Sequence, residues 1–363
     1  MVTVGVEEEY LLLDADTGSP VSRGAHVRGL PALAPMVRCG EVDAELLQAQ
    51  LEVATPVCGA LAEVDAHLRR LRAALGEAVA GAGCRIAASG TAPRLGQSHV
   101  TAEPRYLAMW ADAPQLVVEQ LINGMHVHVA VPDPDSAVAA LNRLRPWLPV
   151  LVAMAANSPF WDGRDTGFAS WRTVVFGRWP VSGPPPVFAG ARDYAERTGR
   201  LLATGVIRDL GQIYWQARLS QRYPTLEVRA LDVQLCPREA VTFAGLVRAL
   251  VVAALTDARA GVPGADVPGE LLTAANWRAA RHGLGGTLVS PLDGTLRPAA
   301  EVVIALVDHV TPALKTTGDL DRVTEGVDRL LREGTGAHQQ RAAFAAGGRA
   351  GLLDLLGAGC PPA

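Results

Sequence analysis

Alternating apolar and polar residues, which are typical of a strand with one buried face, mark four segments of the chain, and a fifth short segment is also strand-like. Strands are predicted at residues 3–14, 48–55, 85–90, 124–132 and 225–234. These segments do not alternate regularly with helical segments, as they would in a doubly wound parallel sheet. The order of elements therefore predicts an α+β fold built around an antiparallel sheet.

Helical segments show apolar residues at three- and four-residue spacing instead. Helices are predicted at residues 61–82, 135–156, 194–211, 237–260 and 270–356, the last interrupted by a glycine-rich turn region at 283–298. Residues 163–186 are rich in Gly, Pro and Trp and predict a long ordered loop, a feature that is often functional inside a compact domain. No polar linker divides the chain, so residues 1–363 are expected to form a single domain.

Composition and charge narrow the classes of function. A net charge of −4 and a pI near 6.1 give no reason to expect a nucleic-acid or membrane partner. The only lysine, Lys315, follows no glycine-rich loop, which excludes a P-loop nucleotide site. Acidic residues follow the N-terminus almost at once, and the apolar runs 147–156 and 246–255 are short for a membrane span. We therefore expect a cytoplasmic protein.

Four of the predicted strands carry polar residues two positions apart, and such residues project from the same face about 7 Å apart. These polar faces consist of Glu7 with Glu9; Gln48, Gln50 and Glu52; His126 with His128; and Glu227 with Arg229. Glu8 projects from the opposite face and is not expected to join them.

An ordinary solvent-facing sheet surface is the simplest explanation for one such strand. However, solvent-facing surfaces usually mix Thr, Ser, Lys and Arg, whereas these faces concentrate Glu, Gln and His. Carboxylates converging on one surface would repel each other by roughly 4 kcal/mol per close pair at an effective dielectric near 20. Divalent cations would relieve that repulsion, and carboxylates with an occasional imidazole suit Mg²⁺ or Mn²⁺.

Arg229 adds a possible phosphate ligand to this surface. An arginine two residues from a metal-binding glutamate can hold a phosphate oxygen through two parallel hydrogen bonds. The alternative is that Arg229 simply forms an ion pair with Glu227.

The same residues carry a resemblance to a known family. Six strings, in order along essentially the whole chain, resemble the bacterial carboxylate–amine ligases of the second family of glutamate–cysteine ligases. They are GVEEEYLLLD (5–14), QLEVATPVC (50–58), NGMHVHVAVPD (123–133), ANSPFWDGRDTGFASWR (156–172), PTLEVRALDV (224–233) and WRAARHGLGG (277–286).

This resemblance implies a glutamine-synthetase-like catalytic fold, in which a curved antiparallel sheet backed by helices binds ATP and Mg²⁺ or Mn²⁺ on its concave face. It implies an ATP-dependent ligase that activates a carboxylate, the γ-carboxylate of glutamate, and couples it to an amine such as cysteine. The residues that match the metal ligands of the family are Glu7, Glu9, Glu52, His126 and Glu227. His126 also matches a phosphate-contacting residue, and Arg229 matches the arginine that steadies the transferring phosphate, so the resemblance implies that these two are catalytic. Arg229 and Arg281 are the expected nucleotide-binding residues. Arg172 is the candidate for binding a substrate carboxylate, with a structural loop arginine as the alternative.

Two departures from the family pattern concern specificity. Gln216 stands where many members have Asp, and Ala92 stands where many have His. Neither belongs to the predicted metal set, so the sequence predicts that the chemistry is retained while the choice of acid or amine is open.

Three alternatives to a glutamate–cysteine ligase remain at this stage. They are a guanidino kinase on a related sheet, a ligase of the same family for a different acid and amine, and a non-catalytic relative that binds nucleotide or metal. Small-molecule acid and amine substrates are the expected partners, and a homo-oligomer is possible.

Overall fold

The computed structural model describes residues 2–358. Its main sheet has seven strands: β1 Val4–Asp14, β2 Val42–Ala44, β3 Gln50–Ala54, β4 Cys84–Ala87, β5 Gly124–Ala130, β6 Ala217–Leu219 and β7 Thr225–Asp232. The strand order is β6-β7-β5-β1-β3-β2, with β4 pairing with the C-terminal part of β1, and every pairing is antiparallel. The α+β prediction with an antiparallel sheet is therefore confirmed.

Short strand pairs lie outside this sheet. They join Phe160–Trp161 to Arg164–Asp165, Ser182–Gly183 to Tyr214–Trp215, and Thr287–Val289 to Leu296–Pro298.

The helices, in chain order, are α1 Gly24–Arg28, α2 Leu61–Ala80, α3 Pro104–Asp112, α4 Pro114–Val118, α5 Pro134–Leu144, α6 Leu148–Met154, α7 Trp171–Phe176, α8 Ala191–Ala203, α9 Pro237–Arg259, α10 Gly269–His282, α11 Ala299–Thr317, α12 Leu320–Glu333 and α13 Gly336–Ala358.

One face of the sheet is covered by helices because each strand directs a row of apolar side chains towards them. Val4 and Val6 of β1 and Val127 and Val129 of β5 pack into a core shared with α5, α6, α9 and α11. Burying these side chains leaves the other face of β1 and β5, with its polar residues, for the site.

The backing helix α9 is long and apolar enough to span a membrane by length and composition, but 78% of its apolar stretch is buried inside the fold. The core helix of a soluble protein can have the same length and composition, so α9 is weak evidence for a membrane span.

Two predicted helices have different limits. The segment predicted as one helix at 135–156 is interrupted at Arg145–Trp147 by a 3-10 turn, because Pro146 cannot donate a backbone hydrogen bond within a helix. The helix predicted at 194–211 ends at Ala203, and Gly205 follows with a positive φ of 72°. The loop predicted at 163–186 contains α7, which begins after Ser170; the side chain of Ser170 accepts a hydrogen bond from the backbone of Thr173.

Candidate active site

The separate polar faces come together on the open face of the sheet. In the strand register, Glu7 lies opposite His126 and Glu9 lies opposite Glu52. Strand β5 also pairs with β7 on its other side, and there His128 lies opposite Glu227. The five predicted metal ligands line one cavity of about 510 Å³, together with Arg172 and Arg229; these ligands are Glu7, Glu9, Glu52, His126 and Glu227.

Two imidazoles link the carboxylates of this cavity. Nδ1 of His126 lies 3.1 Å from Oε2 of Glu7, and its Nε2 lies 3.6 Å from Oε1 of Glu9. Nε2 of His128 lies 3.4 Å from Oε1 of Glu7. Within the described part of the chain, the Nε2 atoms of both histidines are buried without a hydrogen-bond partner. Buried polar atoms are normally satisfied, so these two nitrogens point to a ligand.

The donor atoms form three groups in which all ligand atoms lie within 4.8 Å of one another. The groups are Glu7, His128 and Glu227; Glu7, Glu52 and His126; and Glu9, Glu45 and Glu52. Because Glu7 and Glu52 each belong to two groups, the three positions are adjacent and form a row across the sheet. We call this row the carboxylate row.

The end of the carboxylate row formed by Glu9, Glu45 and Glu52 has excess negative charge. Burial and the neighbouring carboxylates of Glu7 and Glu45 raise the pKa of Glu52 well above its usual range. Burial, followed by the charge of Glu9, raises the pKa of Glu45 to about 7. These carboxylates disfavour one another's ionised forms, and a bound cation at this end would remove the conflict.

At the other end, formed by Glu7, His128 and Glu227, neighbouring imidazole and guanidinium groups balance the negative charge of the carboxylates. Burial raises the pKa of Glu7, but its polar contacts with His126 and His128 outweigh burial and leave the pKa well below its usual value. Burial likewise opposes ionisation of Glu227, yet Arg229 and Arg218 hold its pKa far below the ordinary range. These two carboxylates are therefore ionised and held in position.

Arg229 forms the ion pair with Glu227 that the sequence left as an alternative. Two further observations go beyond a surface ion pair. The guanidinium also lies 3.3 Å from Nδ1 of His126, and its buried Nε has no hydrogen-bond partner in the described residues. Arg218 already binds Glu227 through Nε at 2.8 Å, so Glu227 has a second cation. Arg229 can therefore interact with an added anion without leaving Glu227 unpaired.

Arg172 reaches the cavity from the start of α7 and is only 3% exposed. Its Nη2 donates to the backbone oxygen of Arg229 at 3.3 Å, while Oδ1 of Asp232 is 3.9 Å from its Nη1. Asp232 is held by the hydroxyls of Ser158 and Ser170 at 2.7 and 2.9 Å. The guanidinium approaches Gly124 so closely that a Cβ there would lie 2.3 Å from Nη2. A glycine at the start of β5 is thus required for this position of Arg172.

Arg281 is not brought to this cavity. Its guanidinium donates to the backbone oxygen of Gly167 and stacks over the ring of Phe168, 5.4 Å from the ring centroid. The residues that line the carboxylate row do not include it. The structure therefore gives Arg281 a contact with the 163–186 loop instead of a place beside the predicted metal ligands.

Some residues of the site were not singled out from the sequence. Glu45 lies between β2 and β3, outside any alternating segment, so the strand pattern gave no signal for it. His128 shared the polar face of β5 with His126, and that spacing was its only signal. Conversely, Gln48 precedes β3 and does not line the cavity, whereas Gln50 does.

Of the two departures from the family pattern, only Gln216 lies near the site. It lines a second cavity that also contacts Arg172 and Arg229. Ala92 is fully buried in a hydrophobic cluster and lines neither of these two cavities.

The chain matches a known protein family over nearly its whole length. The family model described as glutamate–cysteine ligase family 2 matches residues 3–354. The chain is 43% identical over 360 residues to a Streptomyces coelicolor protein provisionally named glutamate–cysteine ligase 2, covering 99% of this chain and 98% of the relative. A Saccharopolyspora erythraea protein with the provisional name glutamate–cysteine ligase 2-1 is 45% identical over 345 residues, which are 94% of this chain and 90% of the relative.

Solved structures share the fold at low sequence identity. A glutamate–cysteine ligase from Francisella tularensis in complex with AMP has a TM-score of 0.73 at 12% identity, over 98% of this chain and 87% of the other. A bifunctional glutathione synthetase from Pasteurella multocida has a TM-score of 0.68 at 15% identity, over 98% of this chain and 51% of the other. These neighbours agree with the predicted fold, and the family match over nearly the whole chain shows that the protein belongs to glutamate–cysteine ligase family 2.

Proposed function

We propose that this protein, a carboxylate–amine ligase by its family, uses ATP and a divalent cation to activate the γ-carboxylate of glutamate and joins it to an amine such as cysteine. The observation that carries the proposal is the carboxylate row, which shares one cavity with Arg229 and Arg172. Metal ligands and buried arginines on one surface suit a reaction in which phosphate charge must be held and redistributed.

The donor set fits a divalent cation. Its ligands are carboxylate oxygens with two imidazoles, and neither thiols nor a cysteine pair take part. Oxygen ligands of this kind favour Mg²⁺ or Mn²⁺ over thiolate-seeking metals. Bound to the row, such cations would neutralise the oxygens of the ATP phosphates, and the residues expected to hold them are Glu7, Glu9, Glu45, Glu52, His126, His128 and Glu227.

Nucleotide binding is supported by the Francisella neighbour, whose structure was solved with AMP. In this chain, Arg229 lies beside His126 and Glu227, at the balanced end of the row. We assign Arg229 to an oxygen of the transferring phosphoryl group, because a planar guanidinium can hold it with two parallel hydrogen bonds.

In the first step, an oxygen of the substrate carboxylate attacks the γ-phosphorus of ATP and the bond to ADP breaks, which gives an acyl phosphate. In the second step, the neutral amine attacks the carbonyl carbon, the bond to the phosphate oxygen breaks, and phosphate leaves. The amine nitrogen releases one proton to solvent, and the product is an amide. Neither step needs a nucleophilic side chain from the protein, so positioning and charge stabilisation are its main contributions.

The proposal also covers the catalytic unit, its location in the cell and its partners. We propose that residues 1–363 act as one catalytic unit in the cytoplasm, with small-molecule acid and amine substrates as partners. The choice between cysteine and another amine is a choice within the same family and depends on the cavity next to Arg172, not on the carboxylate row.

The direct test is product mass after incubation with ATP, Mg²⁺, glutamate and a panel of amines. A product equal to glutamate plus amine minus water, with one ADP released per product, is expected. Glu7→Gln should abolish both, whereas Asp43→Asn should not, because Asp43 lies opposite Glu52 in the register but is exposed and outside the cavity. ATP binding without any amide product from any acid and amine would instead identify a non-catalytic relative.

A further inference from the structure

A second cavity of about 390 Å³ lies beside the carboxylate row. The two cavities share three lining residues, Arg172, Phe176 and Arg229. A molecule in the second cavity would therefore approach the reacting groups from the side of the two arginines. This cavity is formed by the 172–184 segment, β7 and helix α10.

One wall of the second cavity is a pair of amide side chains. Nε2 of Gln216 donates to Oδ1 of Asn276 at 2.8 Å. Gln216 is only 5% exposed, and its Oε1 is buried without a hydrogen-bond donor among residues 2–358. Leaving a buried acceptor unpaired is unfavourable, so this oxygen is suited to a donor on a bound molecule.

The charges around this cavity are cationic. Three arginines line it, and its lining within the described structure contains no Asp or Glu. Arg178 is paired with Glu119 and Arg229 with Glu227, so both have close carboxylate partners. Arg172 is the least neutralised, because its nearest carboxylate oxygen is 3.9 Å away and its buried Nε has no partner in the described chain. A carboxylate on the bound molecule would complete the contacts of Arg172.

The remaining lining is largely apolar. Phe176 and Ala280 form part of the interior, and Trp277 of α10 contributes at the rim, where it is 57% exposed. An exposed tryptophan beside a cavity offers an apolar surface to an uncharged side chain.

We propose that the second cavity binds the amine substrate, and that this substrate is an α-amino acid with an uncharged side chain. This inference rests on the proposed ligase function. Arg172 holds the carboxylate of the amino acid, Oε1 of Gln216 accepts a hydrogen bond from its amino group, and Phe176 and Trp277 contact its side chain.

The charge pattern favours the amine over the acid as occupant. Glutamate used as the acid would keep its own ammonium group, which finds no carboxylate in this lining. The amine must instead be neutral when it attacks. The nearby arginines favour its neutral form, because a protonated amine would add a further positive charge beside them. Gln216 therefore acts as a specificity-determining residue, since it supplies an acceptor without a negative charge.

Calorimetric titration of the full chain with Mg²⁺ and a non-hydrolysable ATP analogue tests the assignment without turnover. The probes are three amino acids and the amines that lack their carboxylate: cysteine with cysteamine, leucine with isopentylamine, and phenylalanine with phenethylamine. At least one amino acid should bind about tenfold more tightly than its partner amine. Gln216→Ala should weaken that binding by about 3- to 10-fold, as expected for one hydrogen bond.

Gln97→Ala is the control, because Gln97 is exposed and lines neither cavity. Equal binding of an amino acid and its partner amine would overturn the proposal, as would unchanged binding in Gln216→Ala. Failure of all six probes to bind at about 10 mM, which corresponds to a very weak interaction, would also overturn it. If Gln216→Ala instead weakens the binding of glutamate, the cavity holds the acid substrate and the proposal is wrong.

ADP release in the same preparations reports separately on the proposed function. Glutamate-dependent ADP release together with unchanged amino-acid binding in Gln216→Ala would reject the second-cavity assignment and leave the ligase intact. If the unsubstituted protein releases no ADP in response to any acid, the ligase function is rejected instead.

Discussion

Replacing Gly124 by alanine should disable the site through Arg172 while leaving the fold intact. Gly124 begins β5, and its backbone N–H donates to Oε2 of Glu9 at 2.6 Å. A Cβ at this position would lie 2.3 Å from Nη2 of Arg172, a distance that real contacts do not reach. Because the clashing atom is the end of a flexible side chain, the guanidinium will move and the strand will stay.

The size of the effect follows from this geometry. An ordinary contact begins at 3.4 Å, so the guanidinium must retreat by about 1 Å, the difference between the two distances. A misplacement of about 1 Å in a positioning group can cost about 10² in rate. The free energy of unfolding should change little, because Gly→Ala in a strand interior adds about 0.5–1 kcal/mol. That gain offsets loss of the hydrogen bond from Arg172 to the Arg229 backbone, worth about 1 kcal/mol.

The assay is steady-state amide formation, with the melting temperature measured on the same protein. Gly124→Ala should lower kcat/KM by about 10² and shift Tm by no more than about 2–4 °C. Gly5→Ala is the matched control, because Gly5 lies in β1 on the same sheet face and its added Cβ would be 4.0 Å from Cβ of His128. That variant should lose little activity.

A double variant tests whether the effect acts through Arg172. If it does, adding Gly124→Ala to Arg172→Ala should cause almost no further loss, since the displaced group is already gone. Additive losses in the double variant, or full activity in Gly124→Ala alone, would refute this reasoning.

Four further results are expected. Glu7→Gln should abolish ATP turnover at saturating Mg²⁺ without unfolding the protein, because it removes a ligand shared by two groups of the row; retained turnover would exclude that role. In differential scanning calorimetry, Mg²⁺ at about 100 times its Kd should add roughly 2.7 kcal/mol to the free energy of unfolding, and EDTA should reverse the gain; an unchanged Tm would argue against a metal site. Arg229→Lys should lower kcat by about 10²–10³ with a smaller change in the KM for ATP, because lysine cannot reproduce the two parallel hydrogen bonds; a lower Tm with normal turnover would give Arg229 a structural role. Glu8→Gln should destabilise the fold by about 3–5 kcal/mol in urea unfolding, because Glu8 pairs with the buried Arg72 behind the sheet; turnover per folded molecule should be retained, and its specific loss would place Glu8 in the chemistry.

The sheet face could be predicted because the side-chain period of a strand is two. Glu7 and Glu9 share a face in any strand, and the apolar residues at the alternate positions on either side of them, such as Val6 and Tyr10, indicate which face is buried. Glu8 illustrates the strength of this rule, since it lies on the opposite face, bound to Arg72 and Tyr10. Strand order and register depend on contacts far apart in sequence, so the pairing of Glu9 with Glu52 needed the structure.

Residues whose positions depend on contacts between distant parts of the chain were harder to predict. Glu45 lies between two strands, where no periodicity indicates the direction of a side chain. Arg281 had a family motif in its favour, but its guanidinium contacts the backbone of Gly167. A motif conveys which residues occur together, whereas the direction of a long side chain depends on neighbours from other parts of the fold.

Carboxylate activation is the central claim, and oxygen transfer measures it most directly. With glutamate labelled with ¹⁸O in its γ-carboxylate, a productive amine and ATP, one labelled oxygen should appear in the released phosphate for each amide formed. The oxygen moves because the acyl C–O bond breaks when the amine displaces phosphate. Amide formation with unlabelled phosphate, so that no acyl oxygen leaves with phosphorus, would contradict the account.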